Sequence, residues 1–305
     1  MKVLILGATG FIGFPAAQAL VRAGHEVYGQ TRNPDKAKLL VSEEIIPVIA
    51  DPSKGEEWAS IAEKADIVID CIGGMDIRTI SQYVFEVSLE AAKKVRGTSA
   101  PRLTYIYCSG TWVHGEDREN VTSEHAVPKN TTALVSWRMA QEKRLLAASD
   151  AGAINGIVIR PSLLYGRSGS IVAMLFGAAA AAAENGIQLE WAGRPGGRWS
   201  LIHVDDLADL FVRVAEAGPT CRGTIFDATN SYTESVSDIL DTVTRVVGVT
   251  SGWKYREPSN PFEEAVASTT RLRPSLARAL LGWNPRKPGL VDGMETYYAA
   301  YRAYL

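Results

Sequence analysis

Three cysteines in 305 residues, Cys71, Cys108 and Cys221, are too few and too scattered for a disulfide framework, and no Cys-x-x-Cys pair occurs. Two of them lie in apolar runs that read as buried strands, so free thiols in a reducing, cytoplasmic setting are expected. A long hydrophobic run is also missing. The opening MKVLILGATG meets glycine too soon for a secretory core and reads as a strand. The stretch FGAAAAAAEN falls short of a bilayer span and reads as a tightly packed helix, so no membrane partner is expected. Neither sign of charge is in excess: 32 Lys and Arg stand against 34 Asp and Glu, a net charge of −2. That balance gives no footprint for a nucleic acid. No metal site is read. With 46% hydrophobic and 22% charged residues, the composition is that of an ordinary globular protein.

What is present is an alternation of apolar strands and helices. KVLIL is followed by a helix from about Phe11 to Arg22, stopped at Gly24. EVYGQ leads to a helix opened by NPDK, with Asn33 as N-cap and Pro34 in the first turn. IIPVIA, DIVIDCI, a helix over about Thr79 to Val95, RLTYIYC and INGIVIR continue the series. Buried Val- and Ile-rich runs between helices predict an α/β fold, a Rossmann-type doubly wound parallel sheet. After Pro161 the pattern loosens into the alanine helix, the loop WAGRPGGRWSLIH, the strand GTIFDAT, a helix near Ser235 to Val247 and a closing helix. Residues 1–165 are expected to form the dinucleotide-binding core, rejoined by a strand at 223–230, with 166–305 mostly a smaller C-terminal substrate-binding lobe.

The first strand runs directly into GATGFIG, which spaces Gly7, Gly10 and Gly13 three apart. A dinucleotide site needs a tight turn, close backbone approach to a diphosphate and intimate packing of helix on strand. Thr9, Phe11 and Ile12 complete this turn, and the diphosphate is expected at the helix N-terminus. An NAD-preferring site carries an acid at the end of the second strand, where this chain has Gln30, Thr31 and Arg32. Arg32, with Lys36, predicts selectivity for the 2′-phosphate of NADP; a solvated surface pair is the alternative. Asp51 and the turn Cys71, Ile72 and Gly73 are placed to touch adenine and ribose.

These motifs, with YIYCSGTWVHGE, RPSLLYGR, LIHVDDLADLF and LGWNPR, resemble the short-chain dehydrogenase/reductase superfamily, in its extended and atypical epimerase/dehydratase-like branch. The resemblance spans nearly the whole chain in order. It implies a nicotinamide cofactor, contacts to it from Pro161, Leu163 and Leu164, and a homodimer of a kind common in that branch. It also implies a catalytic tyrosine with a lysine four residues later, the lysine lowering the phenol's pKa. Here the chain departs. Aligned through AQEK, the tyrosine position holds Leu134 and the lysine position Arg138. None of the eleven tyrosines is followed four residues later by lysine. The usual hydroxyl on the fifth strand falls on Gly110 and the motif tyrosine on His114, with Ser109 and Thr111 flanking the gap.

Arg138 can bind ribose hydroxyls, but a guanidinium holds its protons too firmly to shuttle them. His114 and Tyr165 are candidate donors; His203 fits better as an organiser of a helix N-terminus with Asp205. Trp112, Trp137, Trp191 and Trp199 lie in segments expected to border the sheet's carboxyl edge. With no second phosphate-binding cluster in view, they favour a flat hydrophobic or aromatic substrate over a nucleotide sugar. The expected function is NADP(H)-dependent reduction of a hydrophobic carbonyl, imine or activated alkene. The alternatives are a redox-neutral epimerase, isomerase or cyclase, and a non-catalytic NADP(H)-sensing regulator.

Overall fold

The structure is a computed structural model that describes residues 1–74, 76–96 and 100–305. In chain order the first half runs β1 (Lys2–Leu6), α1 (Gly13–Arg22), β2 (Glu26–Thr31), α2 (Ala37–Ser42), β3 (Ile46–Ile49), α3 (Ala59–Lys64), β4 (Ile67–Asp70), α4 (Ile77–Val95), β5 (Thr104–Cys108), β6 (Asp117–Thr122), α5 (Arg138–Asp150) and β7 (Asn155–Pro161). The second half runs β8 (Leu163–Tyr165), α6 (Ile171–Glu184), β9 (Leu189–Ala192), β10 (Arg198–His203), α7 (Val204–Ala217), β11 (Ile225–Ala228), β12 (Thr233–Ser235), α8 (Val236–Val247), β13 (Trp253–Arg256), α9 (Pro261–Ala267), β14 (Thr270–Leu272), α10 (Leu276–Leu281) and α11 (Met294–Arg302).

Two compact units result, the first of Met1–Ser109, Trp137–Arg160 and Leu207–Phe226, the second of Gly110–Ser136, Pro161–Asp206 and Asp227–Leu305. The first holds a seven-stranded sheet in the order β11-β7-β5-β4-β1-β2-β3. Its pairings from β3 through β7 are parallel, with Leu6 opposite Asp70 and Asp70 opposite Tyr107. Strands β1, β4, β5 and β7 are buried almost throughout, as expected of continuous Val- and Ile-rich runs covered on both faces. One core cluster gathers Leu4, Leu6, Trp58, Val68, Phe85, Tyr105 and Leu145.

The second unit is built from short pieces: β12-β10-β8 in one sheet, β13-β9 and β14-β6 in two others. Its core packs Phe176, Trp199, Leu201, Ile239, Leu240 and Met294. The chain crosses between the units several times, so a single boundary at residue 165 does not describe it. Residues 110–136 join the second unit because β6 pairs with β14, more than 140 residues later; most of α7 returns to the first.

Local expectations fail in small, physical ways. NPDK opens a 3₁₀ turn over Pro34–Lys36 before α2 starts, with Asn33 Oδ1 accepting from the Asp35 N–H at 2.9 Å. The alanine-rich segment forms α6, and no helix among the described residues is long and apolar enough to cross a membrane.

Candidate functional site

In the first unit, β1 delivers Gly7 with φ +80°, where an added Cβ would stand 2.6 Å from the Cys71 carbonyl oxygen. A Cβ on Gly13 would stand 2.2 Å from the Gly7 oxygen. Both glycines are therefore demanded by the approach of helix to strand. Gly10 differs, because its Cβ would meet only the Gly7 oxygen at 3.2 Å and its surface is exposed. The N–H groups of Phe11 and Ile12 donate to no protein acceptor among the described residues, which leaves them directed at the start of α1 for an anion. The expected result of Gly13→Ala is a loss of about 2–3 kcal/mol or more, since backbone must move. Dinucleotide binding should be lost with it. Denaturant titration and calorimetry check both, and an unchanged protein would mean the turn is looser than described.

Gln30 bolts this turn in place. Its Oε1 accepts from the Gly7 N–H at 2.9 Å and its Nε2 donates to the Ala50 carbonyl at 2.6 Å. Thr31, buried at the end of β2, has its Oγ1 3.1 Å from that of Thr9. Hydroxyls thus fill the place where a ribose-binding acid would sit. Arg32 and Lys36 follow, both exposed, and neither pairs with a carboxylate among the described residues. Asp51 takes the Oγ and N–H of Ser53 on one oxygen, which holds its carboxyl below the usual range; the charge of Arg32 acts in the same direction.

At the ends of β4 and β5 lies a group that sequence reasoning missed. Asp70 is 1% exposed, accepts from Ser81 Oγ and the Ile72 N–H, and is pushed up to about 6 by burial. Cys71 donates its N–H to Leu6, and its thiol is raised by the neighbouring Cys108 and by burial. Gly73 is exposed with nothing near its Cα face. Because folding raises the Asp70 pKa, the native chain binds a proton more tightly than the unfolded chain between about pH 4 and 6. Its contribution to stability is fully present below that window and is lost as pH rises through it. Asp70→Asn should remove this fall, worth about 3 kcal/mol. His203, held near 4 by burial, makes a contribution that is instead lost as pH falls from 6.5. It is common to both proteins and cancels in the comparison. Urea titrations at pH 4.5 and 7 test this; identical pH dependence in the two proteins would contradict it.

Ser109, 6% exposed, donates its hydroxyl to Glu142 Oε1 at 2.6 Å, so its proton is committed within the protein. Glu142 is itself paired with Arg160, both side chains almost completely buried. Arg138, the first residue of α5, donates to the Tyr107 hydroxyl at 2.9 Å and the Cys108 carbonyl at 3.2 Å. Its guanidinium lies 4.8 Å from the centre of the Trp137 ring. It is fixed at the end of β5, not waving on a helix surface.

In the second unit, Thr111 opens a 3₁₀ turn over Thr111–His114. It is 6% exposed, and no hydrogen bond involves its hydroxyl among the described residues. His114 Nε2 stands 2.9 Å from Asp227 Oδ2, a pair buried on both sides. His114 is also among the residues lining a cavity of about 600 Å³. Leu163 and Leu164 pair β8 with Leu201 and Ile202 of β10, following Pro161. Tyr165 is 0% exposed, donates to the Pro288 carbonyl at 2.8 Å and accepts from Asn230. Burial drives its phenol far above the ordinary range. That engagement makes Tyr165 a tie to the C-terminal segment instead of a proton donor. His203 Nδ1 accepts from the Asp205 N–H at 3.0 Å, an organiser of the start of α7.

The tryptophans fall in both units. Trp199 is core, donating to the Val266 carbonyl at 2.8 Å and meeting Trp191 edge-on. Trp112 meets Phe262 edge-on in the same unit, whereas Trp137 belongs to the first. Among the described residues no group of three or more His, Cys, Asp or Glu could hold a metal.

A parallel sheet with a glycine turn after β1 and a cationic end to β2 defines a dinucleotide-binding α/β protein. The sequence model described as the NAD dependent epimerase/dehydratase family matches residues 3–226, and the chain belongs to that family. An uncharacterized protein of Saccharomyces cerevisiae is 25% identical over 310 residues, covering 98% of this chain and 99% of its own. A phenylcoumaran benzylic ether reductase of Ginkgo biloba is 37% identical over 84 residues, 25% of this chain and 28% of its own. The crystal structure of UDP-glucuronic acid 4-epimerase from Bacillus cereus, with UDP-glucuronic acid and NAD, superposes with a TM-score of 0.80 at 20% identity, over 100% of both chains. That likeness shows a shared fold.

Proposed function

We propose that the protein is an NADP(H)-dependent oxidoreductase that reduces a carbonyl, imine or activated alkene on a hydrophobic or aromatic small molecule. The observation that carries this reading is the end of β2, where paired threonine hydroxyls replace an acid and Arg32 follows without a carboxylate partner. The glycine turn fits a diphosphate because Gly10 leaves an open, exposed face beside the free N–H groups of Phe11 and Ile12. Arg32 and Lys36 would hold the 2′-phosphate, and Arg138, anchored on Tyr107 and the Cys108 carbonyl, would hold ribose hydroxyls. When bound, the nicotinamide supplies the hydride.

The protein's own part is polarisation and proton supply. The Ser109 hydroxyl is engaged in donating to Glu142, so Thr111 is the hydroxyl left to donate to the acceptor oxygen or nitrogen. His114, oriented by Asp227 as an imidazole must be to act as an acid, delivers the proton that the absent tyrosine would supply. An imine or polarised alkene needs a weaker acid than a ketone does, which suits this exchange. The 84-residue likeness to a phenylcoumaran benzylic ether reductase agrees with a reductase reading.

The test is NADPH consumption against a panel of aromatic carbonyls, imines and enones. His114→Gln should lower kcat about 10²–10⁴-fold with little change in NADPH affinity. Substrate conversion without net NADPH consumption would instead mark a redox-neutral enzyme. Tight NADPH binding with no turnover on any member would point to a sensor.

A further inference from the structure

The second unit contains a cavity of about 240 Å³ with Arg198, Arg271 and Arg273 on its wall, beside Tyr232 and Thr233. No acidic side chain lines it. Several other arginines of the same unit are paired with carboxylates: Arg118 and Arg194 with Glu116, Arg167 with Asp205, Arg256 with Glu263. Arg198, Arg271 and Arg273 have no carboxylate partner among the described residues. Glu234, whose carboxyl feels the charge of Arg198, has turned both oxygens to the N–H groups of Leu290 and Val291 at 2.8 Å.

Two of the guanidinium groups are held in place without being discharged. Arg198 Nε donates to Thr233 Oγ1 at 2.8 Å and its Nη2 to the Thr233 carbonyl. Arg271 Nη1 donates to the Glu119 carbonyl at 3.2 Å. These acceptors are neutral, and none of the three guanidinium groups makes an ion pair among the described residues, although the Glu234 carboxyl acts on Arg198 from a distance. Like charges gathered round one cavity oppose folding, and a fold that keeps them keeps them for an anion. Arginine's planar fork matches a tetrahedral oxyanion, and the half-exposed Tyr232 ring offers an apolar flank.

We propose that this cavity is a binding site for a phosphate-bearing small molecule. It is assembled entirely from second-unit residues and shares none with the glycine turn. Arg198 comes from β10, and Arg271 and Arg273 come from β14 and the residue after it, more than 70 positions later in sequence. That separation hides the cluster from a linear reading, which finds no second phosphate-binding group.

The experiment is calorimetric titration of the full chain with pyrophosphate, at low salt and again in 0.5 M NaCl as an added measurement. Wild type, Arg271→Gln/Arg273→Gln and the exposed single variant Arg273→Gln are compared. The expected result is saturable one-to-one binding, weakened about tenfold per arginine removed. The single variant keeps the comparison should the double variant fold poorly. Absence of saturable binding to wild type would overturn the proposal. So would equal affinity in all variants, which would place the anion away from these arginines.

Discussion

Arg32→Glu should weaken NADPH binding about 10²-fold while leaving NADH binding within about twofold. Hydrogen bonds to a charged group contribute about 1.5–3 kcal/mol each, and reversing the charge adds repulsion at the same site. The upper end of that range corresponds to about 10²-fold. The asymmetry matters more than the size. Arg32 is exposed, makes no ion pair among the described residues and lies beyond the Thr9–Thr31 contact, so its removal should not disturb the turn itself. The diphosphate cradle of Phe11, Ile12 and Gly13 serves NADH and NADPH alike. Equal losses for both nucleotides, measured by calorimetry, would mean that Arg32 acts on the fold or on the diphosphate and not on a 2′-phosphate.

The second large effect is on stability. Glu142→Ala should destabilise the chain by about 3–5 kcal/mol, because it leaves the Arg160 guanidinium buried beside a missing carboxylate. Both side chains are only 2–3% exposed, so water cannot take over the lost interaction. Replacing the pair together, Glu142→Met with Arg160→Met, should recover most of that loss, since the desolvation of two charges is removed with their attraction. The single variant also frees the Ser109 hydroxyl, now bonded to Glu142 at 2.6 Å. Urea unfolding of the single and double variants separates these contributions. A double variant no more stable than Glu142→Ala would show that packing, and not the buried charge, dominates the site.

Much of the first unit was legible because its signals are local. KVLIL into GATGFIG carries strand, turn and helix start within thirteen residues, and the spacing of Gly7 and Gly13 corresponds to the two closest backbone approaches in the turn. The second unit was less legible for a physical reason. Strand β6 reads DRENVT, mostly polar and half exposed, with none of the apolar alternation that marks a strand. It exists because β14 lies beside it, a partner that no window on the sequence contains.

The same distinction runs through the site. Arg32 could be picked out because it follows a recognisable strand. That the Ser109 hydroxyl is spent on Glu142, that Tyr165 is spent on Pro288, and that His114 is held by Asp227 are all facts of pairing over 33 to 123 residues. Asp70 reads in sequence as one more residue of DIVIDCI, although its burial makes it the most perturbed carboxylate beside the turn. The grouping of four tryptophans rested on segments and not on facing side chains, and the structure divides them between units.

The measurement that bears most directly on the account is calorimetric titration of the nucleotide-free protein with NADPH and, separately, with NADH. Micromolar or tighter NADPH binding, with NADH weaker by tenfold or more, is the expected result. Preference for NADH, or no binding of either nucleotide, would contradict it and remove the basis for a reductase.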